Sequence, residues 1–353
     1  MVAVSWVTSN SYYNFGLIKT VREVVNKVEI VSDTLYDEVP SVDLADFTAN
    51  DLARRDNFVR TLGDAFENIG FVAVKNHGLS DALTQKLYRS VKQFFDLPEV
   101  VKVGYEVEGL GGQRGYTAKG KEHAKGRKVG DLKEFYHIGQ EIAEADAALL
   151  GYPQNIFPRE VPEFEAATVE AYRTLEAAGR QILRAIALYL ELDEFYFDPE
   201  VHFGNSILRP IHYFPIADPQ DIPPDAVRAA AHGDINLITL LMGASAEGLQ
   251  ILRQDGKWIP VTTLSDRIVV NVGDMLERLT NKKLRSTVHR VVNPAAGFWN
   301  TPRYSIPFFM HPVSKMDLSC LPCCVDEQHP KQFADITAGE FLDRRLREIG
   351  LIS

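Results

Sequence analysis

The segment AHGDINLITLLM, residues 231–242, sets His232 and Asp234 two positions apart at the head of an apolar run. On a strand, residues two apart project from the same face of the pleat, so an imidazole and a carboxylate would converge on one atom while Gly233 turns away. Such a pair suits a metal ion. In a surface loop the same residues would instead cap a turn, with Asp234 bonded to local backbone and His232 in water. A second histidine, His289, follows in KLRSTVHRVVNP. Two imidazoles and one carboxylate on one face of an octahedral ion leave the opposite face open. Non-haem Fe(II) that must take both a cosubstrate and dioxygen needs that arrangement, although zinc accepts the same donors. Arg303 and Ser305, in RYS, also share a strand face, and a guanidinium beside a hydroxyl suits one terminal carboxylate of a small acid. An inward-pointing arginine is costly unless something pairs with it.

The elements that must position these groups fall into two regimes. Upstream, Phe58, Leu62, Ala65, Phe66 and Ile69 form one helical stripe over residues 56–69. Leu83, Leu87, Val91, Phe94 and Phe95 form another over 80–97, behind a Ser80 cap. IGFVAVKNHG between them reads as a short strand. EGLGGQRGYTAKGKEHAKGRKVGD is polar and without periodicity, and reads as a mobile or substrate-covering loop. Residues 162–192 then predict a long helix with Tyr172, Leu175, Gly179, Ile182, Ile186 and Leu190 on one face, bracing a sheet. From about residue 204, short β-rich runs alternate with turns, the pattern of an antiparallel sandwich, barrel or jelly roll. Thr337 and Glu340 form a capping box ahead of a closing helix.

Composition limits the classes available. A chain of 353 residues, 45% hydrophobic and 24% charged, can bury a large core, and its net charge of −10 argues against a nucleic-acid partner. No apolar run is long enough to cross a bilayer, and the first residues lack the basic flank and apolar centre of a signal peptide, so cytoplasm is the expected compartment and no membrane partner is expected. Cys320, Cys323 and Cys324 cluster in SCLPCCVDEQHP. With His329 they would make a zinc site only if ligands came in two separated pairs, so ordinary thiols are expected.

Several stretches together resemble the isopenicillin N synthase-like family of Fe(II)- and 2-oxoglutarate-dependent dioxygenases: HGD, GLQILRQDGKWIPV, VVNVGDMLERLTNKKLRSTVHRVVNP and RYSIPFFMHP. Upstream, VPSVDLADF, ENIGFVAVKNHGLS and DLKEFYHIG resemble its N-terminal domain, and the tail CVDEQHPKQFADITAGEFLDRRLREIGL resembles that of its bacterial members. The resemblance implies a mainly β fold with flanking helices around a double-stranded β-helix, or jelly-roll, core. It divides the chain into residues 1–37, an extension without counterpart; 38–200, a helix-rich N-terminal domain; 201–315, the jelly-roll domain; and 316–353, a tail with a helix. It implies Fe(II) on His232, Asp234 and His289, and 2-oxoglutarate chelating the metal by its keto acid end while Arg303 and Ser305 hold the distal carboxylate. Dioxygen would then oxidise a small-molecule substrate by hydroxylation, desaturation or ring closure, with 2-oxoglutarate leaving as succinate and carbon dioxide.

One departure stands out. Much of the family carries a run like NYYP whose second tyrosine reaches the cosubstrate; here it is HYFP, His212–Pro215, with Phe214 in the tyrosine's place. His212 or Tyr213 would compensate, or His212 is a packed core histidine. By position in the family's pattern, Gln113, Arg114, Tyr116, Phe135 and His137, with Phe214, are the candidate substrate-lining residues, though Tyr116 also suits a loop anchor and Phe135 sheet core. The basic run from Lys119 to Lys128 is a solvated loop or an attractor of an acidic substrate. Two other functions remain open at this point: an Fe(II) oxidase that grips its substrate's own carboxylate without 2-oxoglutarate, and a non-catalytic jelly-roll binding protein.

Overall fold

The computed structural model describes residues 35–110, 112–121, 133–143, 151–215, 228–242, 248–261, 266–293 and 299–348. Most of the 1–37 extension and of the basic run lies outside them. The helices are α1 (Leu44–Thr48), α2 (Leu52–Asn68), α3 (Asp81–Phe95), α4 (Glu99–Val103), α5 (Glu163–Tyr189), α6 (Asp198–Val201), α7 (Asp274–Leu279) and α8 (Ala338–Glu348). The strands are β1 (Ser41–Asp43), β2 (Phe71–Lys75), β3 (Gly115–Thr117), β4 (Lys133–Gly139), β5 (Ile207–Leu208), β6 (Ile211–Tyr213), β7 (Ala229–His232), β8 (Ile238–Met242), β9 (Leu249–Leu252), β10 (Trp258–Pro260), β11 (Arg267–Val272), β12 (His289–Val291), β13 (Arg303–Ser305) and β14 (Pro307–Met310). No described helix is long and apolar enough to cross a membrane.

Helix boundaries follow from caps and apolar stripes. Ser80 Oγ accepts from the Leu83 amide at 3.1 Å and opens α3, whose Leu83, Leu87, Val91, Phe94 and Phe95 are all buried. In the capping box before α8, Glu340 Oε2 accepts from the Thr337 amide and Thr337 Oγ1 from the Glu340 amide. Helix α5 buries the face anticipated for it, and Gly179 lets it approach the sheet: a Cβ there would fall 2.5 Å from the Met310 sulfur.

Ten strands form one sheet, in the order β1-β2-β11-β8-β14-β5-β4-β6-β13, with β3 paired to β4; the other sheet runs β10-β9-β12-β7. Alternation along single strands divides the core in two. Val270 and Val272 of β11 join the cluster packed with α2, α3 and α5. Val269 of the same strand joins a second cluster with Phe135, Ile211, Ile251 and Val291 of both sheets. The larger sheet is therefore a wall with helices on one side and a space shared with the smaller sheet on the other.

This architecture overturns the expected mainly β chain with a double-stranded β-helix (jelly-roll) core. It is a mixed α/β domain, 35% helix and 22% strand, with open sheets that do not close into a barrel. The strand-rich runs are present, but each strand is two to seven residues long, whereas α5 alone has 27 residues. The predicted covering loop also departs from expectation. Its residues 115–117 form β3, fully buried against β4.

The cysteines of the tail differ in setting, and Cys323 is exposed. Cys324 is buried in the main cluster, Cys320 Sγ lies 3.5 Å from the Arg278 carbonyl, and His329 bonds Asp326 instead of the thiols.

Candidate active site

The triad is assembled by strand pairing. His232 ends β7, and β12 runs antiparallel beside it with His289 directly opposite, which brings the ring centroids to 4.5 Å. Asp234 lies just beyond β7 and not within it, so the shared strand face foreseen for the pair holds for His232 alone. Gly233 makes the turn: a Cβ there would lie 2.9 Å from Asp274 Oδ1 and 3.0 Å from Ser286 Oγ. Asp234 Oδ1 then sits 3.9 Å from His232 Nε2 and 3.7 Å from His289 Nε2. These three residues are the one group among the described residues with metal-binding geometry.

Supporting hydrogen bonds leave the right atoms facing inward. The Nδ1–H groups of His232 and His289 donate to the carbonyls of Ala230 (2.7 Å) and Thr287 (3.2 Å), so each Nε2 keeps its lone pair for a metal. Asp234 Oδ2 accepts from Thr239 Oγ1 (2.6 Å) and Asn271 Nδ2 (2.8 Å), residues that face each other across β8 and β11. His232 opens onto the inter-sheet cavity with 44% of its side chain accessible, yet it lies deep in the molecule. That setting first, and then the neighbouring His289, push its pKa down to about 4 and keep it neutral. Burial works to raise the Asp234 carboxyl, but the two imidazoles and its hydrogen bonds outweigh it and hold the group below its ordinary range.

The cavity, about 360 Å³, opens between the sheets onto the triad. Cross-strand register determines what else reaches it. Lys133, Tyr213 and Arg303 stand in one line across β4, β6 and β13, and Phe135, Ile211 and Ser305 in the next; both lines face the cavity side. Arg303 is 1% exposed, its guanidinium lies 4.9 Å from the Tyr213 ring centroid, and its Nε and Nη1 find no hydrogen-bond partner among the described residues. A buried cation left so incomplete fits an incoming carboxylate, and the donor set of the triad fits iron.

The intervening residues Glu134, His212 and Tyr304 face the helices. His212 bonds Glu134 Oε1 at 2.7 Å and stacks on Tyr304 at 5.0 Å, so it is not brought to the cavity, and Phe214 packs on its ring. The structure places Gln113 and His137 on the cavity wall. Tyr116 instead hydrogen-bonds Glu134, Arg114 is buried against Gln140, and Phe135 is covered by the Arg209 guanidinium 4.4 Å above it. Residues passed over in the sequence also line the cavity, among them Asn205, Arg209, His311 and, from α8, Arg345. The period-two run from Arg303 through Ser305, Pro307 and Phe309 leads directly to His311 and was the available signal.

Two sequence families match: a non-haem dioxygenase N-terminal domain, described from morphine synthesis, over residues 39–162, and the 2OG-Fe(II) oxygenase superfamily over 204–312. The 2-oxoglutarate-Fe(II) type oxidoreductase hxnY of Emericella nidulans is 31% identical over 303 residues, covering 83% of this chain and 85% of its own. The chain belongs to the 2OG-Fe(II) oxygenase superfamily. Among solved 2OG-Fe(II) oxygenases, a Caulobacter crescentus family protein superposes with a TM-score of 0.78 at 43% identity, covering 88% of this chain and 99% of that one. A full-length Neurospora crassa protein solved with alpha-KG and thymine gives 0.78 at 30% identity, covering 88% and 96%. With its His-Asp-His triad, the chain is an Fe(II)- and 2-oxoglutarate-dependent oxygenase acting on a small substrate.

Proposed function

We propose that Arg303 and Ser305 bind the distal carboxylate of 2-oxoglutarate, and that the substrate is hydroxylated in the part of the cavity that remains. The observation that carries this is the buried Arg303 guanidinium, two of whose nitrogens have no hydrogen-bond partner among the described residues, in the same cavity as the triad. Fe(II), held by His232, Asp234 and His289, supplies the oxidising chemistry with dioxygen as 2-oxoglutarate is converted to succinate and carbon dioxide. The chain's own residues orient and exclude water. Thr239 and Asn271 fix the Asp234 carboxylate, Tyr213 supports the guanidinium, and Gln113 and His137 line the substrate side. His137 is held in place: Nδ1–H donates to the Gly112 carbonyl at 2.5 Å and Nε2 accepts from Arg209. That the Neurospora relative was solved with alpha-KG and thymine together supports one cavity holding a cosubstrate and a small ring.

The resemblance of the tail and the 43% identity to the Caulobacter protein support a bacterial-type member. The family matches over 39–162 and 204–312 support functional boundaries near residues 38, 200 and 315. The three free cysteines support a cytoplasmic site of action, a reducing compartment. The test is stoichiometric: succinate should form from 2-oxoglutarate in step with oxidised product. Product formation with 2-oxoglutarate omitted would instead identify an oxidase.

A further inference from the structure

Asn205 and His311 sit opposite each other where β5 and β14 run on toward the triad. Two residues beyond the paired Phe309 and Ile207, the regular ladder has ended but the chains stay close: the Asn205 amide donates to the Pro312 carbonyl at 3.3 Å and the His311 amide to Ser206 Oγ at 3.1 Å. The approach is tight and depends on Gly204, since a Cβ there would lie 2.1 Å from the His311 carbonyl oxygen. The Leu237 amide donates to the Met310 carbonyl at 3.1 Å, which places His311 beside the turn that carries Asp234.

Both side chains line the cavity, and Asn205 Oδ1 and His311 Nδ1 have no hydrogen-bond partner among the described residues. His311 is only 9% exposed. Buried polar groups normally find partners, so two residues of one cavity wall that each keep a buried atom unmatched mark a place where an entering ligand would complete the hydrogen bonding. An imidazole and a carboxamide each carry both a hydrogen-bond donor and an acceptor. Two donor–acceptor groups side by side complement an N–H next to a C=O. The cavity lies near the lower end of the usual size range for ligand sites and must also take the cosubstrate, which favours a small substrate.

We propose that Asn205 and His311 form a substrate subsite that reads an amide-type edge, so the substrate is a small lactam, carboxamide or ureide and not a hydrocarbon skeleton. This deepens the oxygenase reading above and depends on it. Neither residue touches the 2-oxoglutarate anchor, and the two ends of the cavity can be tested apart.

The experiment is anaerobic calorimetry on the full chain loaded with Fe(II) and 2-oxoglutarate. The probes are uracil and 2-piperidone, each against its N-methylated form, with limonene as the hydrocarbon. At least one N–H probe should bind roughly tenfold or more tighter than its N-methylated form and than limonene, because a site built to hydrogen-bond rejects an analogue that lacks the donor. Asn205→Leu and His311→Phe should each remove that preference while 2-oxoglutarate affinity stays as in the wild type. Failure of both N–H probes to bind, indifference to N-methylation, tighter binding of limonene, or an unchanged preference in both variants would overturn the subsite. Failure of the wild-type protein to bind 2-oxoglutarate, measured first in the same cell, would instead overturn the cosubstrate assignment.

Discussion

The strands β4, β6 and β13 bury charge on both faces, in opposite ways. On the helix face Glu134 is saturated: it accepts from Lys102 Nζ at 2.8 Å, from His212 Nδ1 at 2.7 Å and from the Tyr116 hydroxyl, and Lys102 also reaches the Phe95 carbonyl. On the cavity face, one residue along in register, Arg303 is equally buried and has two nitrogens unmatched among the described residues. Burial works to raise the Glu134 pKa, and His212, Lys102 and Tyr116 reverse it, so the carboxylate stays ionised. A buried charge whose partners are all internal holds the fold; one whose partners are missing is kept for a ligand.

The comparison can be broken at several points. Largest in effect is His289→Ala, which removes one of three metal ligands. Iron binding and turnover should disappear together, and stoichiometric iron with full activity in that variant would remove the triad assignment. Next is Glu134→Leu, which strands Lys102 in the core and should cost about 3–5 kcal/mol of unfolding free energy, read by denaturant titration. Its counterpart, Arg303→Leu, removes a buried charge whose Nε and Nη1 have no hydrogen-bond partner among the described residues. Stability should hold or rise, while 2-oxoglutarate binding weakens by about 2–5 kcal/mol. Equal stability losses in Glu134→Leu and Arg303→Leu would erase the distinction between the two faces.

Asn271→Leu sharpens the account at the metal. It leaves the ligands in place but removes a hydrogen bond to Asp234 Oδ2, and should lower iron affinity about 10–100-fold. The smallest effect is on pH dependence. His311 has a folded pKa of about 4 against an ordinary value of 6.5, so below 6.5 the unfolded chain binds more protons than the folded one. Stability of the metal-free protein should therefore fall as the pH drops from 6.5 toward 4, and His311→Phe should remove part of that slope.

Residue types and spacing pointed to the metal site, although Asp234 lies beyond β7 and not on the shared strand face the spacing suggested. His289 and His232 meet as a cross-strand pair, and the Arg303 and Ser305 interval marks the cavity face of β13. What failed in the sequence concerned longer-range arrangement. Strand-rich runs say nothing about whether a sheet closes, and here both sheets stay open. His212 looked equivalent to its neighbour Tyr213, yet one residue of register sends it through the sheet to Glu134, a partner 78 positions away. Asn205 and His311 were overlooked for a related reason: each is an unremarkable polar residue until the β5 and β14 pairing sets them side by side.

The most direct test is an anaerobic titration of the Fe(II)-loaded protein with 2-oxoglutarate, following the weak visible charge-transfer absorption of an iron-bound keto acid, in the wild type, Arg303→Leu and Glu134→Gln. A saturable band whose midpoint moves to much higher 2-oxoglutarate in Arg303→Leu but little in Glu134→Gln is the predicted result. Equal midpoints in all three proteins, or no band with iron bound, would contradict the assignment of Arg303 as the cosubstrate anchor.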